Sequence, residues 1–395
     1  MRIWTVLFFI IPHIAFASDS SKDLLKKLVE VSSGSNDVVG VTQVQNMISD
    51  ELKNINFQTE LIQSTTGKLG PLLIGTLKGK SSKYITFIVH ADTVFEKSSG
   101  FTTYQISNDG KTAKGPGVID DKGGIVVLLS GLKEYLNKNS TPDYSLRIIS
   151  SPGEEIGTPE FLPLFKKYSG DSTLVLGFEP SLEDGSIIDS RRGNRWYNIK
   201  VIGREAHAGR AHKEGINACW ELSKKLDLIS KLTDYTKDIT VSIGHIEGGK
   251  DKYNIVCGEA SAKIDVRFSS TEARDKFHKK FEKIMNHSLV LSASDKKPTS
   301  ASFEITDETE PFSLNPESLK QIKTLKKLIE KHEGRRVSSQ KSGGAADTNS
   351  FSRYGLPIID GLGACGGKMH TQDEYIELSS LNSRAKVLSG FLEQF

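Results

Sequence analysis

Acidic and imidazole side chains recur at short intervals in the first half of the chain, in a pattern that suits metal chemistry. They form three polar clusters, each beside an apolar run: His90-Ala91-Asp92, Asp120-Asp121 and Glu154-Glu155. Imidazole and carboxylate donors without a thiolate suit Zn²⁺ or a similar divalent ion. One carboxylate can bridge two ions about 3.5 to 4 Å apart, as in two-metal hydrolases. The pattern predicts a metal-dependent hydrolase with Asp120 as the bridging group.

The turn that carries Asp120 spans residues 115–124 and reads GPGVIDDKGG. Glycine has no Cβ, so a glycine-rich turn lets the backbone approach a ligand closely. An ordinary loop with two solvated acids is the alternative for this stretch alone. The neighbouring clusters favour a ligand site, because each follows a predicted strand and ligands in open α/β sheets collect at the strand ends.

The adjacent acids Glu154 and Glu155 predict a division of labour. Neighbours in an irregular segment can point in different directions, so that one binds metal and the other faces the attacking water. A divalent ion lowers the pKa of its water from about 16 to about 7, and a nearby carboxylate can then act as general base. We assign Glu155 to the metal and Glu154 to the proton. Asp92 is placed to orient the imidazole of His90.

The elements that must position these groups alternate between helices and strands. Apolar residues at helical spacing predict helices over residues 24–29 and 44–52 and from about residue 124. Apolar and β-branched runs predict strands over residues 72–77, 84–89, 144–150 and 173–176. This alternation predicts an α/β fold, with a mostly parallel sheet covered by helices on both faces.

The pattern changes after residue 190. Strands are predicted over residues 196–201, 239–246 and 260–268, and long helices over residues 217–232 and 272–285. This pattern indicates a compact inserted α+β domain, followed by a linker from residue 307. We therefore expect a discontinuous catalytic domain formed by residues 18–189 and 307–395. Residues 190–306 form the domain inserted between these two parts.

Composition and charge exclude some classes of function. A length of 395 residues suggests two domains. Fifty-two basic and 49 acidic residues give a net charge of +3, which offers no reason to expect nucleic acid or an anionic membrane as partner.

Residues 1–17 have the pattern of a secretory signal peptide. Arg2 precedes an apolar run, and Ala15-Phe16-Ala17 forms an A-x-A cleavage signal. The run is shorter than the roughly 20 residues that a spanning helix needs, and no other segment approaches that length. We expect cleavage after Ala17, a secreted or periplasmic location and no stable membrane span.

Three cysteines remain in this exported chain: Cys219, Cys257 and Cys365. Their odd number and the absence of CxxC spacing indicate neither a disulfide framework nor a thiolate metal site. We expect buried unpaired thiols, with one disulfide between two of them as the alternative.

Six motifs, in matching order, resemble the signature set of the M20 metallopeptidases, and within that family the glutamate carboxypeptidase (carboxypeptidase G2) type. They are HAD at 90–92, GPGVIDDKGG at 115–124, GEEIG at 153–157, FEP at 178–180, GREAHAG at 203–209 and MH at 369–370. The resemblance runs from about residue 24 to the C-terminus. It implies a zinc-exopeptidase-like fold with an inserted lid and dimerisation domain.

The resemblance also implies two zinc ions per chain and their ligands. His90 and Glu179 would bind one ion, Glu155 and His370 the other, with Asp120 bridging them. By the same resemblance, Glu154 is the general base and Asp92 orients His90. All these residue types are present.

Three residues of the insertion resemble substrate-contacting positions of the family. His207 resembles the histidine that reaches a neighbouring subunit's active site across a dimer to stabilise the oxyanion. Asn254 and Arg267 match the pattern that holds the terminal carboxylate of the substrate. Arginine forms bidentate bonds to carboxylates, and asparagine can add a third donor. The alternative is a turn asparagine and a surface arginine.

These expectations combine into a secreted di-zinc carboxypeptidase that hydrolyses the amide bond before a C-terminal residue, with glutamate as the candidate. One alternative is an N-acyl amino acid deacylase of the same family, and another is a non-catalytic binding protein with this fold. Arg191 and Arg192, at the domain junction, are either part of a pocket for an acidic side chain or a solvated hinge pair.

Overall fold

The computed structural model describes residues 20–395. The predicted signal peptide, residues 1–17, lies outside the described residues. Across residues 20–395, no helix combines the length and apolar character that crossing a bilayer requires.

Eight α-helices occur within residues 20–395: Ser20–Val29 (α1), Val38–Asn54 (α2), Lys122–Lys138 (α3), Leu162–Ser169 (α4), Ala218–Ser230 (α5), Thr271–Asn286 (α6), Pro316–Glu333 (α7) and Leu378–Leu392 (α8). Short polar side chains cap several of them and satisfy backbone N–H groups of the first turn. Asp37 accepts the amide of Gly40 at α2, and Asn217 accepts the amide of Trp220 at α5.

Sixteen strands occur in the same range: Gln58–Ile62 (β1), Leu72–Leu77 (β2), Tyr84–His90 (β3), Gln105–Ile106 (β4), Thr112–Lys114 (β5), Ser145–Ser151 (β6), Ser172–Gly177 (β7), Ile187–Arg191 (β8), Gly193–Ile202 (β9), Ile239–Gly248 (β10), Glu259–Phe268 (β11), Ser300–Thr309 (β12), Ser339–Ser342 (β13), Ile358–Ile359 (β14), Gly366–Gly367 (β15) and Tyr375–Glu377 (β16). Short 3₁₀ turns separate some of them, and the turn Glu154–Ile156 carries the predicted acidic pair.

A six-stranded sheet in the order β1-β2-β6-β3-β7-β14 forms the centre of the larger part of the molecule. Strand β3 pairs in parallel with β6 and β7, and β7 with β14, whereas β1, β2 and β6 pair antiparallel. Helices α1, α3, α7 and α8 contribute to the apolar core on one face, and α4 contributes to the other. The α/β class with a mixed, mostly parallel sheet is therefore confirmed.

A separate four-stranded antiparallel sheet, in the order β10-β11-β9-β12, is formed by residues that follow β8. One face packs on α5 and α6 around a core that includes Tyr197, Phe268 and Phe281. Edge strand β12 runs through Thr309, so residues 307–309, predicted as linker, belong to the sheet. Its apolar signal is weak because none of its residues is fully buried.

The cysteines differ from the expectation of three free thiols. Cys219 and Cys257 form a disulfide, and Cys365 is free and buried. The pairing joins the first turn of α5 to the segment before β11, where the amide of Ala218 donates to the carbonyl of Cys257 at 2.8 Å. A separation of 38 residues gives no sequence signal for this contact, so only the tertiary structure reveals it.

Replacing both bonded cysteines by serine should lower the free energy of unfolding by about 3 kcal/mol, because the bond closes a loop of intermediate length in the unfolded chain. Chemical denaturation of wild type and of the Cys219→Ser/Cys257→Ser variant measures the change. A reductant should destabilise wild type and leave the double variant unaffected. Three titratable thiols in unfolded, unreduced wild type would contradict the pairing.

Candidate metal centre

The predicted ligands lie at the carboxyl ends of adjacent parallel strands. Strand β3 ends at His90, β6 ends at Ser151 shortly before Glu154, and β7 ends at Gly177 shortly before Glu179. These strands are neighbours in the order β6-β3-β7, so their ends meet at one edge of the sheet. The polar residue that follows each buried strand is thereby brought to one place.

The side chains meet around Asp120, which immediately precedes α3. His90 Nε2 lies 3.1 Å from Asp120 Oδ1 and 3.7 Å from Glu179 Oε1. On the opposite side, His370 Nε2 lies 3.3 Å from Asp120 Oδ2 and 3.3 Å from Glu155 Oε2. Each oxygen of the aspartate therefore faces a different histidine, and the structure brings all five predicted ligands together.

Asp92 has more partners than the sequence indicated. Its Oδ1 lies 3.3 Å from His90 Nδ1, as predicted for an orienting group. Its carboxylate also accepts the amides of Glu154 and Glu155, at 3.0 and 3.2 Å, and the hydroxyl of Ser35 at 2.6 Å. One buried carboxylate thus fixes the imidazole and the acidic pair relative to each other.

Burial, repulsion between carboxylates and hydrogen bonds to His370 shift the pKa values in the cluster. Burial and the charge of Asp120 raise the pKa of Glu179 to about 8. Burial, followed by the charge of Glu179, raises the pKa of Glu154 well above its ordinary value. Hydrogen bonds to Asp120 and Glu155 raise the pKa of His370 to about 10. The metal-free protein therefore takes up protons to balance this negative charge.

The residues fit a divalent cation. Oδ1 of Asp121 and Oε1 of Glu155 are buried and have no hydrogen-bond partner, and an acceptor left in this way is costly unless a cation contacts it. Two groups offer ligand atoms that lie within 4.8 Å of one another: His90, Glu154 and Glu179, and His90, Asp120 and Glu155. Imidazole and carboxylate donors suit zinc or a similar ion.

Distances within the cluster do not distinguish whether Glu154 is a general base or a metal ligand. Its carboxylate lies as close to His90 and Glu179 as a ligand of the same ion would. The two roles differ in their chemistry, because the loss of a base abolishes turnover and the loss of a ligand removes metal.

Sequence reasoning missed three acids around the centre, of which Glu374 and Asp360 are buried and Asp347 is partly buried. Glu374 accepts the amides of Ile119 and Asp120 at 3.0 and 3.3 Å, and so supports the turn that holds the bridging carboxylate. Asp360 follows β14, and the rule that polar residues mark strand ends applies to it. Asp347 lies beyond the glycine-rich segment 343–344 and has no comparable signal.

Two pockets open on either side of the acidic pair, and both are bordered by Glu154, Glu155 and His370. The first, of about 260 Å³, extends toward the four-stranded sheet and includes Arg267. The second, of about 330 Å³, extends toward Arg191 and the glycine-rich strand β15. The cluster therefore lies between two spaces that can hold the two sides of a scissile bond.

His207 and Asn254 lie elsewhere. Neither His207 nor Asn254 is among the described residues that line these two pockets. The two are neighbours, since Ala208 donates its amide to the carbonyl of Asn254 at 2.9 Å. Both side chains are exposed. Within one chain, the structure brings Arg267 to the metal centre and does not bring the other two insertion residues there.

The arginine pair at the junction is not solvated. Arg191 is buried, donates to Asp360 at 2.8 Å and lies 4.0 Å from Glu179. Arg192 forms an ion pair with Asp238. The solvated alternative is thus wrong for Arg191, whereas Arg192 is half-buried and paired with an acid. Arg191 lines the second pocket, but its charge is partly satisfied by this bonding.

A sequence model of peptidase family M20/M25/M40 matches residues 86–394. The chain belongs to this family. M20 members are hydrolases, and the groups of metal-binding residues described above fit a metallohydrolase. The resemblance stated from the motifs is confirmed.

Individual relatives are similar over most of their length. Carboxypeptidase G2 of Pseudomonas is 27% identical over 365 residues, covering 91% of this chain and 85% of the relative. A succinyl-diaminopimelate desuccinylase of Rickettsia bellii is 24% identical, covering 87% and 90%.

Solved structures establish the same fold. A tripeptidase from Staphylococcus aureus superposes with a TM-score of 0.76 at 20% identity, covering 95% of this chain and 97% of the other. An M20 family metallo-carboxypeptidase from Sulfolobus solfataricus gives a TM-score of 0.73 at 18% identity, covering 95% and 99%.

Loading the metal-free protein with Zn²⁺ at pH 7 should release about three protons per chain, because the pKa values of His90, Glu179 and His370 are raised and these three predicted ligands hold protons that the metal must displace. Their raised pKa values also mean that metal affinity should increase from pH 7 to pH 9. Calorimetry in buffers of different ionisation heat measures the release. The His370→Gln variant should release about one proton fewer, and a heat independent of buffer would contradict the shifts.

Proposed function

We propose that this M20 hydrolase is a secreted di-zinc carboxypeptidase that removes the C-terminal residue of a peptide or N-acyl amino acid substrate. The observation that carries the proposal is the position of Arg267, which lines the pocket next to the acidic pair. Its Nε is bonded to Asp265 at 2.8 Å, which leaves the two terminal nitrogens to bind a carboxylate. Recognition of a free carboxylate beside the scissile bond defines a carboxypeptidase.

The ligands proposed are His90 and Glu179 for one zinc ion, Glu155 and His370 for the other, with Asp120 shared. The metal pair, when bound, polarises the substrate carbonyl and makes water more acidic. The protein groups supply the proton transfers. Glutamate 154 takes a proton from the attacking water on its carboxylate and delivers it to the leaving amine.

A homodimer completes the site in this proposal. His207 Nδ1 accepts the amides of Gly209 and Arg210, both at 3.2 Å, so the neutral ring carries its proton on Nε2. That N–H is a fixed donor of the kind that stabilises an oxyanion. Because His207 and Asn254 lie away from the centre of their own chain, we propose that they serve the centre of the partner chain.

Export is part of the proposal and is supported by the leader pattern of residues 1–17. The disulfide between Cys219 and Cys257 agrees with an oxidising compartment. A fusion of residues 1–17 to a reporter enzyme would test the leader independently of activity.

Glu154→Gln should retain both metal ions and lose turnover by about 10³-fold or more, because the amide cannot accept the proton. Metal analysis and kcat on an N-acyl dipeptide measure the two effects. Glu60→Gln, a change to an exposed acid on β1, serves as the matched control and should leave both unchanged. If Glu154→Gln instead loses its metal and is active again once metal is added back, this residue is a metal ligand and not the base.

Mixed dimers test the shared site. His207→Ala and Glu154→Gln homodimers should each be inactive, whereas a doubly tagged dimer of one chain of each should recover about half of the wild-type activity. Recovery arises because the chain with intact Glu154 receives the intact His207 of its partner. An inactive mixed dimer, or a monomeric mass in solution, would place His207 in its own chain's site or outside the reaction.

A further inference from the structure

The cleft face of the four-stranded sheet presents a defined pattern of charges. In the sheet register, Trp196 on β9 lies opposite Asp265 on β11 and opposite Asp307 on β12. Two residues along, Asn194 lies opposite Arg267 and Thr309. Directly opposed residues of an antiparallel sheet share a face, as do residues two apart in one strand. All six side chains therefore point to the face that borders the metal centre.

Among the described residues that line the first pocket, Arg267 is the one lysine or arginine. Its single positive charge does not neutralise the several acids that line the same pocket. Glu308 has its own partners, since it bonds Arg195 at 2.8 Å and Arg274 at 2.6 Å. Asp307 forms no ion pair with any residue from 20 to 395.

Asp307 is held in place by a neutral donor. Asn194 Nδ2 donates to Asp307 Oδ2 at 2.5 Å. Within the described part of the chain, Oδ1 has no hydrogen-bond donor, and it faces the loop that carries the acidic pair. A Cβ added at Gly157 of that loop would lie 3.8 Å from this oxygen. The carboxylate is thus oriented, charged and open to the cleft.

The wall between these charges is apolar. Trp196 is 36% exposed and Leu162 is 40% exposed, and both line the same pocket with Pro159. Arg267 and Asp307 lie on strands separated by β9 and are offset by two residues along it, which places their backbones about 12 Å apart. The long side chain of Arg267 shortens this gap, so an extended lysine or arginine residue can reach from the guanidinium to Asp307.

A second carboxylate is disfavoured in this pocket. The side chain of a C-terminal glutamate would need another cation. Arg267 is taken by the α-carboxylate and His370 by the metal centre, so the ionisable groups that remain to meet it are Asp307 and Asp347, whose Oδ2 is buried without a hydrogen-bond partner. Like charges brought together in a partly closed site repel, and this counts against acidic residues. The charge pattern therefore opposes the glutamate expected from the motifs.

We infer that the pocket selects a C-terminal residue with a cationic side chain, with Arg267 binding the α-carboxylate, Trp196 and Leu162 contacting the aliphatic stem, and Asp307 binding the charged end. Asp307 is thereby a specificity-determining residue. The inference rests on the proposed carboxypeptidase function and names its substrate class.

The test uses N-acyl dipeptides that differ only in their last residue: lysine, norleucine, glutamine and glutamate. Zinc-loaded wild type should prefer lysine over norleucine, and glutamate should be the poorest. Asp307→Asn should lower kcat/KM for the lysine peptide by about 10- to 100-fold and change the norleucine peptide by less than about 3-fold. Asp307→Lys should reverse the order of lysine and glutamate.

Glu304→Gln is the matched control, because Glu304 is an exposed acid on the same strand and does not line the pocket. It removes the same charge from the protein and should leave the preference intact. A preference for glutamate in wild type, or an equal loss for all peptides in Asp307→Asn, overturns the inference while leaving the carboxypeptidase function in place.

Binding of the free amino acids separates the inference from the reaction. Calorimetry with wild type should detect lysine binding that is weakened in Asp307→Asn and unchanged in Glu304→Gln. If no peptide is cleaved but this binding pattern is found, the carboxypeptidase proposal fails and the pocket assignment stands. If no peptide is cleaved and lysine binding does not depend on Asp307, both fail.

Discussion

Repulsion between acids packed at one edge of the sheet is the constraint around which this structure is arranged. Asp120, Glu154, Glu155 and Glu179 meet beside two imidazoles, and all four residues are partly or wholly buried. Such a cluster is unfavourable unless positive charge is supplied to it. Burial and mutual repulsion raise the pKa values of Glu154 and Glu179 in the metal-free protein, and a divalent metal bound to these groups would offset that cost. The fold must therefore hold the acids against their own repulsion when no metal is bound.

Hydrogen bonds from backbone amides hold the loops that carry these acids in place. Asp92 accepts the amides of the two residues of the acidic pair, and Glu374 accepts the amides of Ile119 and Asp120. Backbone donors do not change side-chain rotamer, so these bonds fix the loops more firmly than contacts between flexible side chains would. Each bond also spans elements that are distant in sequence, which ties the loops to one another as well as to the strands.

The part of this site that could be predicted is the part that follows strand ends. His90 and Glu154 are predicted because each comes just after a buried apolar run, and parallel strands place such residues together. His370 lacks that signal, since it lies in an irregular loop with a left-handed backbone (φ 62°), and only the resemblance to a family indicated it. Glu374 lies in the same region, and its partners are known only once the chain is folded.

The same limit applies to charge. The sequence shows Asp307 as one acid in a polar stretch, and a polar stretch at an exposed sheet edge resembles a linker. Its meaning depends on register, because a shift of one residue would turn it to the helix-covered face. Once the register places it beside Trp196 and two strands from Arg267, the pocket carries both signs of charge. The family motifs indicate the reaction class, and the side chains of this sheet, which the motifs do not include, carry the charges on which the inferred substrate preference depends.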